Sequence, residues 1–286
     1  MTPRQILEIR TAHPSRDGDG VAIQRISGMR HAGMDPILLI DELGSDRRED
    51  VAGGFPPHPH RGMQTLTYMK HGGMRHEDSE GNRGEIRGGG AQWMSAGRGV
   101  IHSEMPTLDS EALHGFQLWI NLPRAEKMSA PRYRDLSPEE LARTQGEGFA
   151  LTVIAGDWRV EGLETTGPLC ELARRAGVAD LVLQAGVEVD LQTAAAESVM
   201  AYVYSGALLS GETGIGSRQL AVSGGGDRWT LRAGDAGASV LLLRGQPLRE
   251  PVANYGPFVM NTPEEIDQAV RDYQSGDFVQ GGVTHG

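Results

Sequence analysis

Four side chains whose types and spacing suit a metal site stand in two short segments. His58 and His60 flank Pro59, and His102 and Glu104 follow forty-two residues after His60. Side chains on an extended strand alternate between its faces, so both members of each pair point to one side. Three neutral imidazoles and a carboxylate suit a divalent ion of iron, nickel, copper, manganese or zinc. The pattern predicts a metal site formed by these four residues.

The spacing alone leaves a second interpretation open, because His-x-His pairs also occur by chance on protein surfaces. The His-x-Glu pair strengthens the case for a site without deciding it. Five other histidines lack a histidine partner at this spacing and are interpreted as surface or packing residues; they are His31, His71, His76, His114 and His285.

Ligands on two separate segments meet only if a barrel or sandwich of strands brings them together. The 40 glycines and 15 prolines, with few long helical patterns, favour a turn-rich β protein. Strands are predicted at residues 35–41, 65–69, 115–121, 150–154 and 239–243, where apolar or β-branched runs are bounded by turn residues.

Two helices are predicted. Ser137 could cap a short one ending at Arg143, with Pro138 in its first position. The stronger signal begins at Thr262 and Pro263, continues as an apolar stripe at spacings of three and four, and ends at Gly276.

The length of 286 residues suits two domains. We predict a metal-binding domain at residues 1–130 and a second domain at residues 131–286 that lacks metal ligands and ends in a helix. Tyr68 and Tyr202 each stand four residues before a glycine, which indicates a weak internal repeat. On that offset His58 and His60 correspond to Gln192 and Ala194, which cannot replace two imidazoles.

Composition excludes several classes of function. The net charge of −11 disfavours direct binding to nucleic acid. The single cysteine, Cys170, cannot form an internal disulfide and is predicted to be a small buried hydrophobe. The sequence has no signal-like N-terminal segment and no apolar run long enough for a transmembrane helix, so we expect a cytoplasmic protein that does not bind membranes.

Longer motifs carry a family resemblance that covers nearly the whole chain. These motifs are DPILLIDEL at 35–43, GFPPHPHRG at 54–62, HEDSEGN at 76–82, QWMSAGRGVIHSEMP at 92–106, QLWINLP at 117–123 and YGPFVMNT at 255–262. Together they resemble the signature of the pirin family. The resemblance implies an all-β bicupin, with two antiparallel jelly-roll barrels and a short C-terminal helix. It also implies one metal in the N-terminal barrel, bound by His58, His60, His102 and Glu104.

The sequence departs from the family pattern at two places. Pirins commonly have an acid four residues after the second motif histidine, where this chain has Gln64, and Gly89-Gly90 replaces a usual Gly-Asp. By strand periodicity Gln64 is expected to point toward the barrel interior, as His60 does. Fold and metal binding are expected to tolerate both changes, whereas catalysis is less secure.

The resemblance implies two functions. The first is a quercetin 2,3-dioxygenase-like enzyme that binds a flavonol and O₂, with iron(II) as the expected metal, nickel, copper, manganese or zinc as alternatives, and Glu104 as catalytic base. The second is a non-catalytic metal- or redox-sensing protein that modulates a partner enzyme or transcription factor. A monomer is expected.

Overall fold

Strands make up most of the chain in the computed structural model, which describes residues 1–45, 47–107 and 112–279. In chain order the earlier strands are β1 (Ile6–Thr11), β2 (His13–Asp17), β3 (Val21–Ser27), β4 (Ile37–Ser45), β5 (Phe55–His60), β6 (Met63–His71), β7 (Gly73–Asp78), β8 (Arg83–Arg87), β9 (Ala91–Ser95), β10 (Val100–Pro106), β11 (Leu113–Asn121) and β12 (Arg132–Leu136). The later strands are β13 (Ala142–Gly146), β14 (Phe149–Ala155), β15 (Asp157–Val160), β16 (Leu163–Thr166), β17 (Gly177–Leu183), β18 (Glu188–Gln192), β19 (Ser198–Ser210), β20 (Thr213–Gly216), β21 (Gln219–Ser223), β22 (Arg228–Gly245), β23 (Ala253–Tyr255) and β24 (Phe258–Met260). The helices are α1 (Pro263–Ser275) and short 3-10 helices at Arg48–Asp50, Arg124–Glu126 and Ala173–Arg175. The all-β prediction is confirmed, and each predicted strand overlaps an observed one.

Packing sorts the chain into two units. The N-terminal unit consists of residues 14–30, 37–138 and 249 onward, and the C-terminal unit of residues 1–13, 31–36 and 139–248. Strand β1 pairs with β21 in the C-terminal unit, whereas α1 packs beside β23 and β24 in the N-terminal unit. The domain boundary between residues 130 and 131 stays a prediction. It did not foresee that β1 belongs to the C-terminal unit and α1 to the N-terminal unit.

Two antiparallel sheets form the N-terminal unit. The larger has the strand order β12-β9-β6-β11-β4-β3-β2, and the smaller has the order β5-β10-β7-β8. Leu66, Phe116 and Leu118 are fully buried on the larger sheet, since apolar side chains alternate along its central strands. The smaller sheet carries the two predicted ligand segments on its adjacent strands β5 and β10.

One extended sheet, with the central order β1-β21-β19-β22-β17-β14-β13, forms most of the C-terminal unit. Its interior is filled by aliphatic side chains and by Trp158 and Trp229, which are 1% and 0% exposed. The buried indole groups donate to the Ala155 carbonyl at 3.0 Å and the Ser210 hydroxyl at 2.9 Å. The interior of this unit is therefore filled by packed apolar side chains.

Helix α1 confirms the C-terminal helix prediction. The Thr262 hydroxyl accepts from the Glu265 main chain, the Glu265 carboxylate accepts from the Thr262 main chain, and Gly276 ends the helix at a φ of 84°. Ile266 and Ala269 are buried against Phe258 and Phe278. Within the described ranges, no helix combines the length and apolar character needed to cross a bilayer.

The short helix predicted from Ser137 to Arg143 is wrong. Strand β12 ends at Leu136 and β13 begins at Ala142, and the residues between them form a turn. Helix nucleation requires a full hydrogen-bonded turn that further residues extend. The segment between β12 and β13 is too short for this, so the capping pattern does not produce a helix.

The prediction that Cys170 is buried is also wrong, because its side chain is exposed. Leu169 bridges to Ala155 and is fully buried. Successive residues of an extended segment face opposite sides, so the next side chain points outward. Apolar neighbours in sequence therefore did not identify the buried face.

A buried lysine holds the end of β5 in the N-terminal unit. Lys127 is 1% exposed, and its ammonium group donates to the Gly62 carbonyl at 2.7 Å, Asn121 Oδ1 at 2.6 Å and the Val259 carbonyl at 2.9 Å. Burial lowers the pKa of Lys127 to about 8, so the group is charged at pH 7. Its three hydrogens meet three oxygen acceptors, which makes it a cross-link between separate segments.

Replacing Lys127 by Met keeps the side-chain length and removes the donor. We expect Lys127→Met to lower the free energy of unfolding by about 2–4 kcal/mol, because three buried acceptors lose a charged donor. Denaturant unfolding measures the change. The matched substitution Lys70→Met, at a half-buried strand position, is expected to cost less than about 1 kcal/mol; equal losses in the two variants would contradict the cross-link.

Candidate metal centre

Pairing between β5 and β10 brings the predicted histidines together. In this antiparallel pair His102 lies directly opposite His58, and Val100 lies opposite His60. Because His58 and His60 are two residues apart on one strand, all three rings project from the same face of the sheet. The register shifts between His102 and Glu104, where β5 has one extra residue, so Glu104 keeps the alternation of β10 and lies on the same face as His102.

The three imidazole rings converge on one point. His58 Nε2 and His60 Nε2 are 3.1 Å apart, and the three ring centroids are separated by 4.4–5.0 Å. One nitrogen from each ring lies within 4.8 Å of the other two, and no other set of three His, Cys, Asp or Glu side chains in the described ranges does the same. Two nitrogens about 2.1 Å from a shared ion, at adjacent corners of an octahedron, would lie about 3.0 Å apart.

Burial keeps two of these rings neutral. His60 and His102 are each 2% exposed, whereas His58 is half-buried. Burial lowers the pKa of both His60 and His102 well below the usual value, and the neighbouring histidines lower it further. A neutral imidazole carries a lone pair on one nitrogen, which is the form that binds metals.

The ring nitrogens fit a cation at this point. His58 Nδ1 donates to the Pro56 carbonyl at 2.8 Å, which leaves its Nε2 lone pair free of a proton. His102 Nε2 is buried and has no hydrogen-bond partner among the described residues. A buried, unsatisfied nitrogen costs about 1–3 kcal/mol, and a metal ion would satisfy it together with the facing nitrogens.

Glu104 lies beside this cluster without being part of it. The carboxylate is 4% exposed; Oε1 is 3.0 Å from the Thr67 hydroxyl, and Oε2 accepts from Gln117 Nε2 at 3.3 Å. The same hydroxyl is 2.5 Å from Gln117 Oε1, and with one proton it donates to only one acceptor at a time. Glu104 as a metal ligand therefore stays a prediction.

His76 is a buried packing residue, one of the two roles that the sequence predicted for it, but its contact with the histidine cluster was missed. It is 1% exposed, its Nδ1 is 3.3 Å from His102 Nδ1, and its Nε2 is 3.1 Å from Asp78 Oδ2. Burial raises the pKa of Asp78, but hydrogen bonds from His76 and Asn82 outweigh it and leave the pKa below its usual value. The missed signal is a His-x-Asp pair with the spacing of the other two pairs.

The other histidines conform to the prediction where the structure describes them. His71 is exposed. His31 and His114 are partly exposed and pair with Glu8 at 2.6 Å and Glu42 at 3.0 Å. His285 lies outside the described residues.

The predicted orientation of Gln64 is wrong. Gln64 shares a face of β6 with Leu66, whereas Thr67, which contacts Glu104, lies on the opposite face. Gly62 separates β5 from β6 with a φ of 79°, and a Cβ there would lie 2.0 Å from the Val259 carbonyl. This left-handed residue interrupts the alternation, so counting by twos from His60 fails.

The arginines that flank the ligand segments have structural contacts. Arg61 is 4% exposed, donates to Asp272 at 2.6 Å and lies over the Phe278 ring at 4.5 Å. It thereby anchors α1 to the end of β5. Arg98 is 4.0 Å from Glu80, which favours a role in its turn over substrate contact.

A cavity of about 720 Å³ opens beside the histidines within the N-terminal unit. His58, His60 and Glu104 lie on its wall, together with the flat rings of Phe55 and Trp119. Trp119 contacts the His60 ring edge-to-face at 5.2 Å between centroids. This volume and mixture of aromatic and polar walls are typical of a small-molecule site.

One charged group of the cavity was missed by the sequence analysis. Arg25 donates to both oxygens of Asp41, at 2.8 and 2.5 Å, and also pairs with Asp17. Burial raises the pKa of Asp41, and the contacts with Arg25 oppose that rise without cancelling it. Because the three residues are spread over β2, β3 and β4, only the sheet brings them together.

Comparison with known proteins identifies the family. The Pirin family model matches residues 21–120, and the model of the pirin C-terminal cupin domain matches residues 178–279. A Vibrio cholerae protein named as a candidate quercetin 2,3-dioxygenase is 48% identical over 276 residues, covering 96% of this chain and 98% of that protein.

Solved structures agree. The crystal structure of quercetin 2,3-dioxygenase from Acinetobacter baumannii superposes with a TM-score of 0.88 at 30% identity, covering 98% of this chain and 99% of that one. A bacterial pirin from Escherichia coli, solved in complex with nickel(II), has the same fold, with a TM-score of 0.61 at 22% identity over 84% of this chain and 99% of that one. The predicted two-cupin fold is confirmed, and the chain belongs to the pirin family.

Proposed function

We propose that this protein is a metal-dependent dioxygenase that cleaves a flavonol such as quercetin. The observation that carries the proposal is the convergence of three imidazole nitrogens beside an aromatic-lined cavity, whose wall includes His58 and His60. The similarity to proteins named for quercetin 2,3-dioxygenase activity supports the same reaction. In the overall reaction both atoms of O₂ enter a ring-opened ester, and one ring carbon leaves as carbon monoxide.

The metal would be held by His58, His60 and His102, with Glu104 as the fourth ligand. When bound, the ion supplies Lewis acidity, which favours the ionised 3-hydroxyl of the flavonol. Iron(II) is the expected metal. Nickel(II) is the second choice, because it was found with a structurally similar pirin.

Glu104 is the proposed proton acceptor. Its carboxylate is buried on the cavity wall, accepts a hydrogen bond from Gln117 and lies 3.0 Å from the Thr67 hydroxyl. Both contacts come from side chains of the larger sheet, so they fix the carboxylate while the histidines hold the other side of the site. A carboxylate in this place can take the 3-hydroxyl proton as the substrate binds.

The cavity walls are proposed to orient the substrate. Phe55 and Trp119 offer flat apolar surfaces for the aromatic rings of a flavonol. Asp17, Arg25 and Asp41 place hydrogen-bonding groups on the same cavity, where hydroxyls of a polyphenol could be bound. The ion pairs of Arg25 with Asp17 and Asp41 would hold the carboxylate oxygens in position for these hydroxyls.

Removing one imidazole should remove the metal. We expect His102→Ala to reduce bound metal from one equivalent per chain to below about 0.1, because two neutral imidazoles and one carboxylate form a much weaker site. Elemental analysis after loading with iron(II) or nickel(II) measures the ratio. His71→Ala, the same change at an exposed strand end, is the control; a full equivalent retained in His102→Ala would contradict the ligand assignment.

Turnover tests the reaction itself. We expect oxygen uptake with quercetin by the iron-loaded protein, and a fall in kcat of about 10²–10⁴-fold in Glu104→Gln at equal metal content, because a positioned general base contributes about that factor. Glu77→Gln, at an exposed position of neighbouring β7, should leave kcat unchanged.

Two results would count against these assignments. An unchanged kcat in metal-loaded Glu104→Gln would exclude Glu104 as the base. Quercetin binding without oxygen uptake, under loading with each candidate metal, would contradict the enzyme and favour the metal-sensing alternative.

A further inference from the structure

A buried chain of three side chains leads away from the cluster on the side of β7. His102 Nδ1 is 3.3 Å from His76 Nδ1, and His76 Nε2 is 3.1 Å from Asp78 Oδ2. The three residues are 2%, 1% and 5% exposed. In the antiparallel pair of β10 and β7, His102 lies opposite Asp78, and Glu104 lies opposite His76, so the contacts follow directly from strand register.

Proton counting along this chain has one consistent solution when Asp78 is ionised and His76 is neutral. A carboxylate only accepts, so His76 Nε2 carries the proton toward it. The neutral His76 ring then accepts at Nδ1, and His102 must donate from its own Nδ1. The proton of His102 is thereby held on Nδ1, which leaves the lone pair on Nε2, the buried nitrogen without a hydrogen-bond partner among the described residues.

We propose that Asp78 and His76 are positioning residues that fix the tautomer and orientation of His102 for metal binding. This inference rests on the proposed metal site. His58 does not depend on such a chain, because its Nδ1 donates to a main-chain carbonyl, that of Pro56. His102 is the ligand whose tautomer is set by side chains that substitution can change.

The surroundings of Asp78 keep it an acceptor. Its Oδ1 accepts from the main-chain nitrogens of Glu80 at 3.0 Å and Asn82 at 2.9 Å, and its Oδ2 accepts from Asn82 Nδ2 at 2.9 Å. With the proton from His76, the carboxylate receives four donors. These contacts fix both oxygens and leave no place for a proton on the carboxyl group.

The His76 ring is held by packing as well as by hydrogen bonds. Tyr133 lies against it with centroids 4.6 Å apart and planes inclined by 31°. The Tyr133 hydroxyl donates to Asp135 at 2.6 Å and accepts from Gln92 at 2.8 Å. A Cβ at Gly84 would lie 2.1 Å from that hydroxyl and 2.0 Å from Asp135, so glycine is required beside this support.

Asp78→Asn is the decisive substitution. The two main-chain donors on Oδ1 hold the amide oxygen on their side, so the amide NH₂ faces His76. The Asn82 side chain, which donates to Oδ2 in the native chain, then has to turn its amide oxygen toward this NH₂. The NH₂ then donates to His76 Nε2, the His76 proton moves to Nδ1, and His102 Nδ1 becomes an acceptor. His102 would carry its proton on Nε2, which blocks the lone pair that the ion requires.

Nitrogen-15 NMR of the histidine rings in the metal-free protein reads these tautomers directly. We expect the Nδ1–H form of His102 in the native chain and the Nε2–H form in Asp78→Asn. Zinc(II) affinity, measured by competition with a chelating dye, should fall by about 10–100-fold in the variant, the usual effect of removing an outer hydrogen-bond partner of a metal ligand.

Asn82→Ala controls for loss of the turn that Asp78 also supports, and His76→Phe keeps the ring against Tyr133 while removing both nitrogens. A normal His102 tautomer and normal zinc affinity in Asn82→Ala, together with weakened zinc binding in His76→Phe, would support the role of this chain of side chains even if Asp78→Asn does not fold. An unchanged His102 tautomer in folded Asp78→Asn, or equal affinity losses in Asp78→Asn and Asn82→Ala, would overturn it. Absence of zinc binding in the native chain would contradict the metal site alone, since the tautomers are measured without metal.

Discussion

Antiparallel pairing between β5 and β10 decides what the N-terminal unit can do. This register places His102 opposite His58, and period-two geometry then adds His60 on the same face. On its other edge β10 pairs with β7, which brings Asp78 opposite His102. A shift of one residue in either pair would turn the rings or their supporting carboxylate to the other side of the sheet.

Holding three imidazoles at one point has an energetic cost that the surrounding structure must offset. Two of the rings are buried, and burial lowers their pKa and keeps them neutral. The Lys127 ammonium and the Arg61 guanidinium lie near the end of β5, where they bond to the Gly62 carbonyl and to Asp272 of α1. Buried hydrogen bonds between separate segments therefore hold the ligand strand in place, while the apolar core stabilises the sheets behind it.

The sequence predicted the parts of this arrangement that depend on local rules. Residue types and alternate spacing identified His58, His60 and His102, and capping residues identified α1. The errors arise where a long-range or irregular feature overrides those rules. Gly62 interrupts the alternation that was extended to Gln64. Pairing of β7 with β10 also brings His76, predicted only as a surface or packing residue, against His102. The Arg25 contacts with Asp17 and Asp41 join separate strands, so spacing along one segment could not reveal them.

The central claim is that one metal ion binds at the three histidines of β5 and β10. Anomalous diffraction from crystals loaded with nickel(II), recorded on both sides of the metal absorption edge, locates that ion directly. We predict one anomalous peak per chain in the N-terminal unit, about 2.1 Å from the facing nitrogens of His58, His60 and His102, with Nε2 as the donor atom of His102. A peak held by other residues, or fully loaded crystals with no peak at these rings, would contradict the account.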